Sequence, residues 1–213
     1  MSGTLAIDWA GERLVLCPDS AVYWPKEKTL FVADPHFGKA AAFRRLGLAV
    51  PEMGTEHDCQ RLETLLTDTD SRRLVILGDF LHSLSGRTDP VRRSLGAWRT
   101  RNATVGIHLV RGNHDVHAGD PWPELERECH SEPWAVGPWQ CRHEPSATGG
   151  FVLAGHVHPS ISVAGRRASC FWRSERQLIL PAFGSFTGTH SVSPERGDEI
   201  FATDGTEVIK IPI

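Results

Sequence analysis

Four short apolar runs in this chain end in the same way, and this recurrence constrains the fold more than any other feature. Leu30-Phe31-Val32-Ala33 leads into Asp34-Pro35-His36, and Leu74-Val75-Ile76-Leu77 into Gly78-Asp79. Ile107-His108-Leu109-Val110 and Arg111 lead into Gly112-Asn113-His114-Asp115, and Phe151-Val152-Leu153-Ala154 into Gly155-His156-Val157-His158. Continuous runs of Val, Leu and Ile this short read as strands buried on both faces. In an open α/β sheet, ligands bind beyond the carboxyl ends of the strands, so four such tips can converge on one site. Pro35 fixes the turn between Asp34 and His36, and a glycine just before a polar tip lets the backbone turn tightly. His143 closes a fifth strand-like stretch, residues 139–143.

The rest of the chain fits an α/β frame. Further apolar runs at 14–16, 21–24, 178–180 and 208–211 read as strands. Helices are expected over 39–46, stopped by Gly47 and Pro51, over 55–66, opened by a capping-box pattern from Thr55 to Asp58, and over 90–101, with Asp89 as N-cap and Pro90 at the first helical position. The first half alternates strand and helix, which predicts α/β; the second is strand-rich with tight turns, which predicts an added antiparallel sheet. No linker or composition shift divides residues 1–213, so one domain is expected.

Composition excludes several classes. Asp8, Glu12 and Arg13 interrupt the place a signal peptide would need to be apolar, and no apolar run is long enough for a bilayer, so a soluble, cytoplasmic protein with no membrane partner is expected. Five scattered cysteines, with no C-x-x-C pair, read as reduced small hydrophobes. The formal charge of -3 neither demands nor excludes a nucleic-acid partner.

The polar tips share one chemistry. Asp34, His36, Asp79, Asn113, His143, His156 and His158 offer carboxylate, imidazole and amide oxygen without thiolate, a set suited to Mn2+, Fe2+, Zn2+ or Mg2+. Seven ligands are too many for one ion that keeps an open position but suit two ions sharing a carboxylate, the usual device for displacement at phosphorus.

In this order, D-x-H, G-D, G-N-H-D, a lone His and G-H-x-H resemble the signature of the calcineurin-like metallophosphoesterases. Longer stretches at 33–45, 78–83, 111–115, 153–159 and 178–190 resemble the bacterial ligase-associated DNA damage response endonucleases within it, small relatives of the SbcD-type repair nucleases. The resemblance implies a four-layer sandwich of two mixed β-sheets flanked by helices. It implies Asp34, His36 and His158 on one metal, Asn113, His143 and His156 on the other, and Asp79 bridging, with Mn2+ first among the four candidate ions. It implies a phosphodiesterase or nuclease acting on DNA in repair, with a DNA ligase and a helicase as functional partners; a small-nucleotide phosphodiesterase or phosphatase and a non-catalytic scaffold are the competing readings. His114 would be the general acid, with Asp115 holding its other ring nitrogen. Arg111, His82, His190, Arg44 and Arg45 are further candidates for substrate contact, each competing with a solvated or packing role. A homodimer is among the states the sequence allows.

Overall fold

The computed structural model describes residues 2–51 and 54–213. Its strands are β1 (Leu5–Trp9), β2 (Glu12–Cys17), β3 (Ala21–Trp24), β4 (Thr29–Val32), β5 (Arg73–Leu77), β6 (Gly106–Val110), β7 (Arg127–His130), β8 (Trp134–Val136), β9 (Trp139–Cys141), β10 (Phe151–Ala154), β11 (Pro159–Val163), β12 (Arg166–Arg173), β13 (Gln177–Ile179), β14 (His190–Ser191), β15 (Glu199–Thr203) and β16 (Val208–Ile211). The α-helices are α1 (Lys39–Arg45), α2 (Gly54–Asp68), α3 (Asp89–Arg101) and α4 (Asn113–Ala118).

Two mixed sheets form the centre. The first runs β1 to β7 in sequence order, antiparallel through β4 and parallel from β4 to β7. The second runs β14-β11-β12-β13-β10-β9-β8, with β15 and β16 pairing onward from β12. It is not the purely antiparallel addition the turns suggested, because β10 lies parallel to both β9 and β13. A parallel bridge from Ala33 to Ala182 joins the sheets where the site begins.

Alternation along the strands assigns each residue to a layer. In β4, Leu30 and Val32 face a core shared with Leu62, Leu65 and Leu66 of α2 and Leu95 and Trp98 of α3, while Phe31 and Ala33 face the seam between the sheets. That seam is filled by Val75, Leu77, Trp139, Leu153, Phe171 and Leu178. Burial on both faces is why these strands lack polar alternation. The far face of the second sheet carries a smaller cluster around Cys170, Ile200 and Ala202.

Helix starts differ from expectation in two places. Thr88, not Asp89, precedes α3, which moves Asp89 into its first turn. Asp58 does not close a capping box: its carboxylate accepts the amide of Ser185 at 3.1 Å and pairs with Arg61 at 3.0 Å, a long-range anchor that outweighs the local cap. Among the described residues no helix is long and apolar enough to cross a membrane.

Candidate metal centre

The parallel strands β4, β5 and β6 of the first sheet, and β9 and β10 of the second, deliver their polar tips to one place. The backbone bends sharply there: Asp34, His36, Asp79, His156 and His158 all adopt positive φ, between 47° and 67°. Left-handed backbone at a residue other than glycine costs on the order of 1–3 kcal/mol and persists where surroundings over-determine it, often at functional sites. Neighbouring amides hold the carboxylates in place. His156 N donates to Asp34 Oδ2 at 2.8 Å, and His114 N donates to Asp79 Oδ1 at 2.9 Å.

The donors fall into two groups joined by Asp79. Asp34, His36 and His158 make one, with His158 Nε2 3.5 Å from Asp34 Oδ2. Asp79, His143 and His156 make the other, with His143 Nε2 3.5 Å from Asp79 Oδ1, 2.8 Å from Asn113 Oδ1 and 2.9 Å from His156 Nδ1. His36 Nε2 lies 3.7 Å from Asp79 Oδ2, so the two oxygens of one carboxylate face the two groups. Leu77 O, 3.3 Å from His143 Nδ1, can take the proton on that nitrogen and leave Nε2 as a lone-pair donor.

The residues present fit two divalent ions. The donor set is nitrogen and oxygen only, and Asp34 Oδ1 and His36 Nδ1 are buried without a hydrogen-bond partner, a costly state that a bound cation would relieve for Asp34. Burial, helped by Lys39, pushes the His36 imidazole down to about 2, which keeps it neutral as a ligand must be. Burial raises the Asp79 carboxyl; a cation on each side would reverse that tendency. A cradle around Asp79 and His143 depends on glycine. A Cβ on Gly112 would lie 2.7 Å from Asp79 N and 2.9 Å from His143 Cγ, and one on Gly78, at φ +83°, would clash with the edge of the His143 ring and lie 2.7 Å from that residue's Cβ.

His114 stands beside these groups on the open side. Its Nδ1 lies 2.6 Å from the carbonyl oxygen of His82 and donates to it, so Nε2, 4.0 Å from Asp79 Oδ2, is the nitrogen turned toward the centre. The His82 ring stacks on it at 5.0 Å and 24°. The expected role of Asp115 is corrected here. Its buried carboxylate accepts Gly112 N at 2.9 Å and Leu81 N at 3.3 Å, closing the first turn of α4 rather than holding the imidazole. Burial pushes that carboxyl up to about 6.

The other candidates divide. The Arg111 guanidinium fork pairs with Asp120 in two bonds of 2.7 and 2.8 Å at a partly exposed position. His82 lines the centre, with its ring 5.3 Å from that of His36, and burial pushes its imidazole down to about 4. His190 reaches the centre through its backbone, donating to His158 O at 2.8 Å, while its side chain is exposed. Arg44 donates to Val50 O and Pro51 O, bracing the turn after α1, and Arg45 is exposed on the same helix.

Sequence reasoning missed Glu132, Arg61, Phe43 and Phe186 as neighbours of the site. Glu132 accepts His143 N at 2.7 Å and so places that ligand's backbone. Arg61 donates to Phe183 O at 2.8 Å and, with Asp58, pins the loop at 183–185. That loop presents Phe186, 40% exposed, whose ring meets Phe43 edge-on at 5.6 Å, and Phe43 in turn touches His82 at 5.9 Å. Lys39 lies half-buried at the start of α1, its ammonium pKa lowered by burial. No local pattern links these residues, which lie far apart in the chain and meet only through the fold.

A family model and one solved structure agree with this geometry. The model of the calcineurin-like phosphoesterase family matches residues 27–174. A nuclease, MPE, from Pseudomonas putida is 38% identical over 98% of this chain and 100% of its own, with a TM-score of 0.87. A phosphoesterase from E. coli, Yfce, is 14% identical over 86% of this chain and 97% of its own, with a TM-score of 0.44. No curated protein sequence matches. With the family's donor groups assembled at the strand tips and its model covering most of the chain, this protein belongs to the calcineurin-like phosphoesterases, metal-dependent hydrolases of phosphate esters.

Proposed function

We propose that this protein is a dimetal phosphodiesterase that cleaves DNA, in the service of DNA repair. The observation that carries the reading is the pair of donor groups sharing Asp79, with His114 Nε2 on their open side. Asp34, His36 and His158 would hold one ion and Asn113, His143 and His156 the other, Asp79 serving both, with Mn2+ first among the candidates. When bound, such a pair of ions supplies Lewis acidity toward a phosphoryl oxygen and makes hydroxide available near neutral pH.

The chain's own residues do the rest. As the imidazolium, with its Nδ1–H held by the His82 carbonyl, His114 is placed to give its Nε2 proton to the leaving oxygen and is left as the neutral imidazole, and its 37% exposed side chain leaves room for a polymeric substrate. Lys39, close enough to lower the His36 and His82 pKa values, adds positive charge that favours a phosphodiester. Phe186 and Phe43 offer aromatic surface beside the cleavage point, which suits a nucleobase. The DNA reading is also supported by the Pseudomonas putida relative, which is described as a nuclease. A DNA ligase and a helicase as functional partners follow from the resemblance to the ligase-associated nucleases. Free thiols at all five cysteines suit a cytoplasmic setting.

The test is to strip the protein of metal, restore Mn2+, and assay single- and double-stranded DNA, a simple aryl phosphodiester and a phosphomonoester beside an Asp79→Asn control. DNA cleavage lost in the control is expected. Diester hydrolysis without DNA cleavage would replace the reading with a small-substrate phosphodiesterase, and no hydrolysis by the metal-loaded protein would remove the enzyme reading.

A further inference from the structure

At the edge of the first sheet, polar residues stand where the fold calls for apolar ones. The register pairs Val75 with His108 and His108 with Glu128, so these side chains share one face, and His130, two residues along β7, shares it as well. This is the seam face, which Phe31, Val75, Leu77 and Val110 fill with hydrocarbon nearer the centre. Two partly buried imidazoles at its rim exchange burial energy for desolvation cost, with an exposed carboxylate beside them, and a local rule broken without compensation is uncommon away from functional sites.

The geometry points to a compensation: we propose that His108, Glu128 and His130 form a further divalent-cation site, of zinc type, separate from the dimetal centre. His108 Nδ1 lies 3.2 Å from His130 Nε2 and 3.7 Å from Glu128 Oε2, and the three donor atoms fall within 4.8 Å of one another. A tetrahedral ion with ligand bonds of about 2.0–2.1 Å sets its donors about 3.3 Å apart, so the observed spacing needs little movement. Two imidazoles and one carboxylate, with one position left for water, suit Zn2+ and discriminate against Mg2+ and Ca2+, which prefer all-oxygen shells. Burial lowers the pKa of both histidines, which favours the neutral form that binds metal.

Trp134, from β8 of the second sheet, covers both rings. It stacks on His130 at 3.9 Å and 7°, and on His108 at 4.9 Å and 23°. A cation on the far nitrogens draws electron density from the imidazoles, which strengthens their contact with the electron-rich indole face. One imidazole donating to the other would account for the 3.2 Å contact by itself. It would leave Glu128, whose side chain is 72% exposed, without a reason to share the face. Binding here would tie the edge strand β7 to β6 and, through Trp134, to the second sheet.

The experiment compares the wild-type chain with His130→Gln and Glu128→Gln, each stripped of metal, equilibrated with Zn2+, freed of excess and analysed for zinc per chain. The wild type is expected to retain one zinc equivalent more than His130→Gln, and Glu128→Gln to bind that equivalent at least tenfold more weakly. Co2+ in place of zinc should add tetrahedral visible bands that both variants lose. Equal zinc in all three proteins, or a differential site with Kd weaker than about 1 mM, overturns the proposal. Glu128 is exposed enough that its substitution leaves folding intact, so a misfolded His130→Gln still leaves a decisive comparison.

Discussion

Adding one methyl group at Gly112 should damage the metal centre without replacing a ligand. Gly112 sits at φ -97° and ψ 178°, a conformation open to any L-residue, so Gly112→Ala carries no backbone penalty. Its cost is steric. The new Cβ would lie 2.7 Å from Asp79 N and 2.9 Å from His143 Cγ, where ordinary contact begins at 3.4 Å, and it would also meet Asp79 Oδ1. The backbone of the turn carrying Asp79 and the His143 ring must therefore retreat by roughly 0.5–0.7 Å, and the Asp79 carboxylate by more, against packed neighbours. Overpacking of this kind costs about 1–3 kcal/mol of stability, which for a chain this size is a fall in Tm of about 2–4 °C per kcal/mol. Misplacement by 1 Å can cost about 100-fold in rate, so a shift of half that or more is expected to lower kcat/KM on an aryl phosphodiester by about 10- to 100-fold. Metal affinity should fall with it. Gly96→Ala is the control: its Cβ meets nothing within 4 Å inside α3, and alanine there should stabilise by up to about 1 kcal/mol. A folded Gly112→Ala protein with wild-type metal affinity and turnover would refute the claim that this close approach shapes the site.

Four further outcomes follow. His114→Asn is expected to lose about 100- to 10,000-fold in kcat on substrates with a poor leaving group, and much less on a nitrophenyl ester that needs no protonation; equal losses on both would count against the general-acid role. Asp115→Ala should act first on stability, by about 1–3 kcal/mol in a denaturant titration, since it strips the acceptor from two buried amides. Phe186→Ala should raise KM for single-stranded DNA about 5- to 150-fold, from about 1–3 kcal/mol of base stacking, and leave the aryl diester unchanged. In the native state Cys17, Cys59, Cys141 and Cys170 are buried, with their thiol pKa values raised by burial, so a thiol reagent at pH 8 should modify at most Cys129 rapidly, an equivalent absent from Cys129→Ser.

How much of this was legible beforehand varied with the range of the interaction. The strands β4, β5, β6 and β10 announce themselves because burial on both faces demands continuous hydrocarbon, and their ends are marked by glycine and aspartate. Short strands such as β7, β8 and β14, rich in polar or aromatic residues, carry no such signal; partners across the sheet create them. The capping box failed for the same reason: Asp58 had a local role on offer, and a loop more than a hundred residues away outcompeted it.

The sequence by itself determined which atoms can meet a metal. Residue type sets donor chemistry, and a strand tip is a local feature that needs no partner to be recognised. The tertiary structure decided which ring nitrogen each histidine presents, that His82 lends its carbonyl to His114 while Asp115 turns inward, and that Arg111 is spent on Asp120. It also decided that Glu132 places His143 and that Phe186 comes to the rim of the site. His82 and His114 lie 32 residues apart, and Phe43 and Phe186 much farther, so only the packing of the fold sets those distances; Asp115 with Gly112, Arg111 with Asp120, and Glu132 with His143 are closer in the chain, and there the course of the intervening backbone decides which partner wins.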